Sequence, residues 1–75
     1  MRTLREIFDE VFQDWKTINP YAKEYGDALH TLESPNDRYL FERGRDIIPY
    51  FLANASGWRG EVAKRVKAEL KQMTN

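Results

Sequence analysis

Leu4-Arg5-Glu6-Ile7-Phe8-Asp9-Glu10-Val11-Phe12-Gln13-Asp14-Trp15 is the stretch that decides the fold class. Leu4, Ile7, Phe8, Val11, Phe12 and Trp15 recur at spacings of three and four, and Ile18 continues the series; only an α-helix places such residues on one face. Thr3 precedes the run and Glu6 follows three residues later, the capping-box arrangement that satisfies a helix's first free amides. Asn19-Pro20 closes this first helix and opens the next, because the residue before proline avoids the helical region while proline suits a first helical position.

Outward from there the same period repeats. A second helix is expected from about Pro20 to Glu33, presenting Tyr21, Ala22, Tyr25, Ala28, Leu29 and Leu32, with Gly26 at the border of that face. Ser34-Pro35-Asn36-Asp37 offers a new cap, a first-position proline and a first-turn acid. Leu40, Gly44, Ile47, Ile48, Phe51, Leu52 and Ala55 then keep helical phase through Pro49, which has no amide to give a helix interior. Two arrangements follow. Either one long helix from about 36 to 54 bends at Pro49, the favoured reading, or the chain breaks near Gly44 and restarts with Asp46 as cap and Pro49 in the first turn. Asn54-Ala55-Ser56-Gly57 marks a stop and a fresh cap, and Trp58, Val62, Val66, Leu70 and Met73 define a fourth helix to about Gln72. The expected fold is all-α: a compact antiparallel bundle of four helices in a single domain, residues 1–75, with the third helix long and kinked or broken at Pro49.

Composition narrows the chemistry. The 75 residues include twelve basic and twelve acidic side chains, one histidine and no cysteine. Disulfides, thiolate metal sites and thiol nucleophiles are excluded, and His30 alone cannot build a histidine cage. A domain this small buries only about 60% of the surface of its unfolded chain, leaving little stability for strained catalytic geometry. No apolar run reaches the roughly 18–20 residues that span a bilayer, and the N-terminus shows no secretory apolar segment. The expectation is a cytoplasmic protein without membrane contact, cofactor or metal. Residues 1–37 hold most of the acids and residues 38–75 most of the bases, so the halves attract each other within one molecule or between two.

Each candidate site carries a plainer alternative. Glu6, Glu10 and Asp14, with Asp9 beside them, form an acidic stripe along the first helix, the usual composition of a solvated face; no second element brings convergent carboxylates to it. His30 lacks partners at triad spacing and reads as a boundary residue. Gly57-Trp58-Arg59-Gly60 lies outside a strand-turn-helix context and lacks the Lys-Ser or Lys-Thr pair of a phosphate loop, so its glycines serve a turn and Trp58 a core. Arg59, Lys64, Arg65, Lys67 and Lys71 are the possible nucleic-acid contacts of a helix-turn-helix built on Leu52-Ala53, Gly57 and Val66. Against that reading stand Ser56 at a normally apolar position, the acidic Glu61 and the zero net charge. The more distinctive feature is aromatic. On a continuous third helix, Tyr39, Arg43, Asp46 and Tyr50 share a face opposite Gly44, Ile48 and Phe51, and tyrosine with arginine is the composition of a protein-binding hot spot. That shared face requires the helix not to break before Pro49.

Asn19-Pro20-Tyr21-Ala22-Lys23, Tyr50-Phe51-Leu52-Ala53-Asn54-Ala55-Ser56-Gly57-Trp58-Arg59-Gly60-Glu61 and Ala63-Lys64-Arg65-Val66-Lys67-Ala68-Glu69-Leu70 together resemble small proteins carried by tailed bacteriophages and prophages, over most of residues 18–72. Pro49 departs from the apolar residue expected there. The resemblance brings no assigned activity; it implies a bacterial host cytoplasm and a small helical protein that modulates or inhibits a host protein or defence complex. The leading expectation is therefore a non-enzymatic protein-binding module with a host protein as partner. A helix-turn-helix nucleic-acid binder is the second expectation. The third is a self-associating structural protein, a homo-oligomer pairing its acidic and basic helices.

Overall fold

The computed structural model describes residues 2–75 as four helices and a small two-stranded sheet. These are α1 (Leu4–Asp14), α2 (Pro20–His30), β1 (Arg38–Tyr39), β2 (Glu42–Arg43), α3 (Gly44–Ala53) and α4 (Glu61–Gln72). The strands form an antiparallel hairpin with Arg38 opposite Arg43 and Tyr39 opposite Glu42. No helix is long and apolar enough to cross a membrane, a statement that covers the described residues.

The capping box on α1 is present as expected: the Glu6 amide donates to Thr3 Oγ1 at 3.1 Å, and the Thr3 amide donates to Glu6 Oε1 at 2.8 Å. Asn19 caps α2 by accepting from the Ala22 amide at 2.9 Å, and its own amide group donates to the Asn54 carbonyl at 2.8 Å. One side chain thus starts α2 and ties that corner to the end of α3.

α2 ends at His30, short of the expected Glu33. The carbonyls of Leu32 and Glu33 accept from the amides of Arg5 and Leu4, at 3.0 and 2.8 Å. That stretch of backbone satisfies the open amides of α1 and cannot also continue a helix. Nor does Ser34 cap a third helix. Asp37 folds back to accept from the amides of Glu33 and Ser34, at 3.1 and 3.0 Å, which closes a local turn instead.

The long third helix does not form. Its expected first half is the β hairpin, and helix begins only at Gly44, so the break falls near Gly44 as the second arrangement foresaw. Asp46 is not the cap of the restarted helix: Arg43 occupies that position without a side-chain bond, and the amides of Gly44 and Arg45 donate to the carbonyls of Asp37 and Pro35, both at 2.8 Å. Pro49 lies inside α3, beyond the first turn. Gly44 is closely packed: a Cβ there would sit 3.0 Å from Leu4 Cδ1 and 3.3 Å from the Pro35 backbone, so these neighbours would have to give way.

α4 also begins later than expected. Its cap is Gly60, whose φ of 110° lies in the region L side chains rarely adopt. Trp58 therefore belongs to the connection before α4, not to the helix. α2 packs most extensively on α3 and α1, with α4 against α1 and α3. Phe8 and Phe51 meet edge to face at 4.9 Å in the centre, and Trp15 and Trp58 extend this aromatic core toward the α3–α4 connection.

Candidate binding cleft

Because the third helix breaks, Tyr39, Arg43, Asp46 and Tyr50 do not share one helical face: Tyr39 is on β1, Arg43 ends β2, and only Asp46 and Tyr50 are on α3. Arg43 Nε lies 3.3 Å from Asp46 Oδ2, an exposed pair of i,i+3 spacing. Tyr50 stacks on Tyr25 of α2, with ring centroids 5.6 Å apart and planes 21° from parallel. Tyr39 and Tyr25 line the same cleft of about 380 Å³, together with Glu24, Ala28, Leu40, Phe41, Glu42 and Ile47. Two of the four expected residues therefore meet at this place indirectly: Tyr39 forms part of the lining, and Tyr50 backs Tyr25 from behind.

The sequence reading missed the residues that make the cleft unusual. Leu40 and Phe41 form the two-residue tip of the hairpin and are 79% and 91% exposed. Leu40 has a φ of 58°, the one non-glycine residue of the described chain in the left-handed region. Two-residue hairpin turns with such a position normally take glycine or asparagine there. A large apolar residue held in that conformation and facing water is a local conflict of the kind found at binding sites. The available signal was the run Tyr39-Leu40-Phe41 between Arg38 and Glu42, three consecutive large side chains that span about 200° of a helical wheel and so exceed one stripe.

The floor of the cleft is apolar and its rim charged. Ile47 is buried at the base of α3, while Glu24 and Glu42 are exposed. Neither glutamate has a salt-bridge or hydrogen-bond partner among the described side chains. Their neighbours are occupied: Asp27 pairs with Lys23 at 2.9 Å, and the Arg38 guanidinium donates to the Phe41 carbonyl at 3.1 Å.

The basic residues of the second half divide into two groups. Arg65 grips Glu10 with both terminal nitrogens; Glu10 also binds Arg2 at 2.8 Å, and Arg2 reaches Glu69 at 2.7 Å. This alternating chain joins α1 to α4 within one molecule. It holds the Glu10 carboxyl below its ordinary range, chiefly through Arg65 and then Arg2, and raises the Arg2 and Arg65 guanidinium groups above theirs. Lys67 donates to the Trp58 carbonyl at 2.6 Å and lies 5.9 Å from the centre of its ring; burial lowers its affinity for the proton. Arg59, Lys64 and Lys71 are exposed and have no acidic partner among the described residues. The connection from Asn54 to Gly60 is also longer than the roughly 3–4-residue turn of a helix-turn-helix, and it buries Trp58 against α1.

The acidic stripe of α1 is not a merely solvated face. Glu6 serves the cap, Glu10 the ion-pair chain, Asp9 contacts His30 Nε2 at 2.7 Å, and Asp14 accepts from the Trp58 indole at 2.8 Å. Asp9, Glu10 and Asp14 each hold a neighbouring element while Glu6 caps its own helix, and no three metal-ligating side chains converge among the described residues.

Comparison with known proteins leaves these observations to stand by themselves. No family model matches the chain, and neither a curated protein nor a solved structure matches it.

Proposed function

We propose that the chain is a non-catalytic binding module that captures a segment of another protein in the cleft between α2 and the hairpin. The observation that carries this reading is the hairpin tip, where Leu40 and Phe41 face water from a backbone conformation costly for leucine. Such exposure beside Tyr39, Tyr25 and a concave surface is the composition of an interface core rather than of an ordinary loop. The resemblance to small phage and prophage proteins makes a bacterial host protein the expected partner. The four-helix scaffold fits this role by presenting an edge in which Tyr50 stacks on Tyr25.

Affinity capture from bacterial lysate tests the proposal, with the wild-type chain compared against Phe41→Ser. Phe41 is almost fully exposed, so serine leaves the fold intact. A captured protein lost with Phe41→Ser and with Tyr39→Ala is the expected result. Identical captured proteins in identical yield from all three chains would remove the cleft from any role in binding.

A further inference from the structure

We infer that the occupant of the cleft is an arginine side chain from a partner segment, its guanidinium lying against the aromatic lining and facing Glu24 and Glu42. The inference rests on the binding reading above and supplies the chemistry of the partner.

Three features converge on a guanidinium. The lining is aromatic and apolar, with Tyr25, Tyr39, Phe41 and Ile47. An occupant must therefore carry an apolar stem or a face that stacks on rings. The rim carries Glu24 and Glu42, neither engaged by a cation among the described residues, so it attracts positive charge and repels carboxylates. Two cations near these glutamates are paired with other acids, Lys23 with Asp27 and Arg43 with Asp46, and Arg38 gives one guanidinium N–H to the Phe41 carbonyl. A side chain with a three-carbon stem and a planar, weakly hydrated cation meets both demands. Guanidinium stacks on aromatic faces and donates in a fork to carboxylates, whereas an ammonium is a compact, strongly hydrated charge that loses more water on entering such a cleft. A stem lying on apolar surface with its charge at a wet acidic rim is also the ordinary posture of long basic side chains.

The experiment uses the full chain, labelled with a fluorophore, on an array of synthetic dodecapeptides. Anisotropy titrations of the strongest binders follow. The bound peptides are expected to contain arginine flanked by leucine or aromatic residues. Replacing that arginine by citrulline, its neutral isostere, is expected to weaken binding about tenfold, and lysine to fall between the two. A Glu24→Gln, Glu42→Gln double variant, exposed at both positions, is expected to weaken the arginine peptide about fivefold and to leave the citrulline peptide unchanged. Equal affinity for arginine and citrulline peptides would overturn the inference. Bound peptides without arginine, lost on Phe41→Ser, would overturn it while leaving the binding module intact; an array with no Phe41-dependent peptide would remove both. Sedimentation at several concentrations covers the remaining occupant: a dimer that the double variant dissolves would put a second copy of this chain in the cleft and overturn the partner assignment.

Discussion

Trp58 lies stacked on Trp15, ring centroids 5.7 Å apart and planes 7° from parallel. The indole N–H of Trp58 also donates to the carboxylate of Asp14, the residue preceding Trp15, at 2.8 Å. The last turn of α1 therefore holds the α3–α4 connection twice, by a ring face and by an acceptor. Lys67 adds a third hold from α4 through the Trp58 carbonyl.

Separating these holds gives the first prediction. Asp14→Ala removes the acceptor and keeps the stack, at an expected cost of about 1 kcal/mol. Trp58→Ala removes both along with the buried ring, at about 3–5 kcal/mol, and Trp15→Ala falls in the same range. Urea unfolding followed by circular dichroism measures all three. Equal losses for Asp14→Ala and Trp58→Ala would mean that the hydrogen bond, not the stacked rings, fixes the connection.

Glycine substitutions in the same connection should diverge. Gly60 has a φ of 110° and caps α4, so Gly60→Ala is expected to destabilise by at least about 1 kcal/mol. At Gly57 an added Cβ meets nothing within 4 Å and φ is not in the left-handed region, so Gly57→Ala is expected within about 0.5 kcal/mol of wild type. Thermal unfolding of the two variants side by side decides the matter.

Leu40 offers a stabilising change. Leucine in the left-handed region costs about 1–2 kcal/mol, and Leu40→Gly recovers that strain less the added freedom of glycine in the unfolded chain. The expected net is a gain of up to about 1 kcal/mol, accompanied by weaker partner binding because the tip loses apolar area. Reduced stability would show instead that the Leu40 side chain packs usefully on the hairpin.

Acid should release the α1–α4 ion-pair chain. The Glu10 carboxyl titrates below its ordinary value in the folded chain because Arg65 and Arg2 favour its charged form. A depressed carboxyl contributes stability above its unfolded pKa, about 4.3, and loses that contribution as pH falls through the lower folded value. Asp37, depressed by the Ser34 and Glu33 amides, acts with the same sign. Stability is therefore expected to be level near neutrality and to decline below about pH 4.5. Glu10→Gln should flatten part of that decline in urea midpoints measured from neutral to strongly acidic buffer; an unchanged acid limb would discount the ion-pair chain.

Much of the scaffold was legible in the chain itself. The three-and-four spacing from Leu4 to Trp15, the Thr3–Glu6 box and the Asn19-Pro20 corner each bind residues a few positions apart, so local rules suffice to read them. The same rules failed between Leu32 and Gly44, where Leu40 and Gly44 fit a helical stripe as well as a hairpin. The outcome there depended on groups remote in sequence. The amides of Leu4 and Arg5 draw the Leu32 and Glu33 carbonyls out of α2, and the Asp37 and Pro35 carbonyls take the first amides of α3.

By itself the sequence determined the helical class, α1 with its cap, the start of α2, and the absence of thiol chemistry, because periodicity and composition are properties of neighbouring residues. Only the tertiary structure decided the hairpin, the exposure of Leu40 and Phe41, and the meeting of Tyr25 with Tyr39 and Tyr50. Those depend on which backbone groups find partners across the molecule, and no local pattern encodes a hydrogen bond between residues as far apart as Leu4 and Glu33.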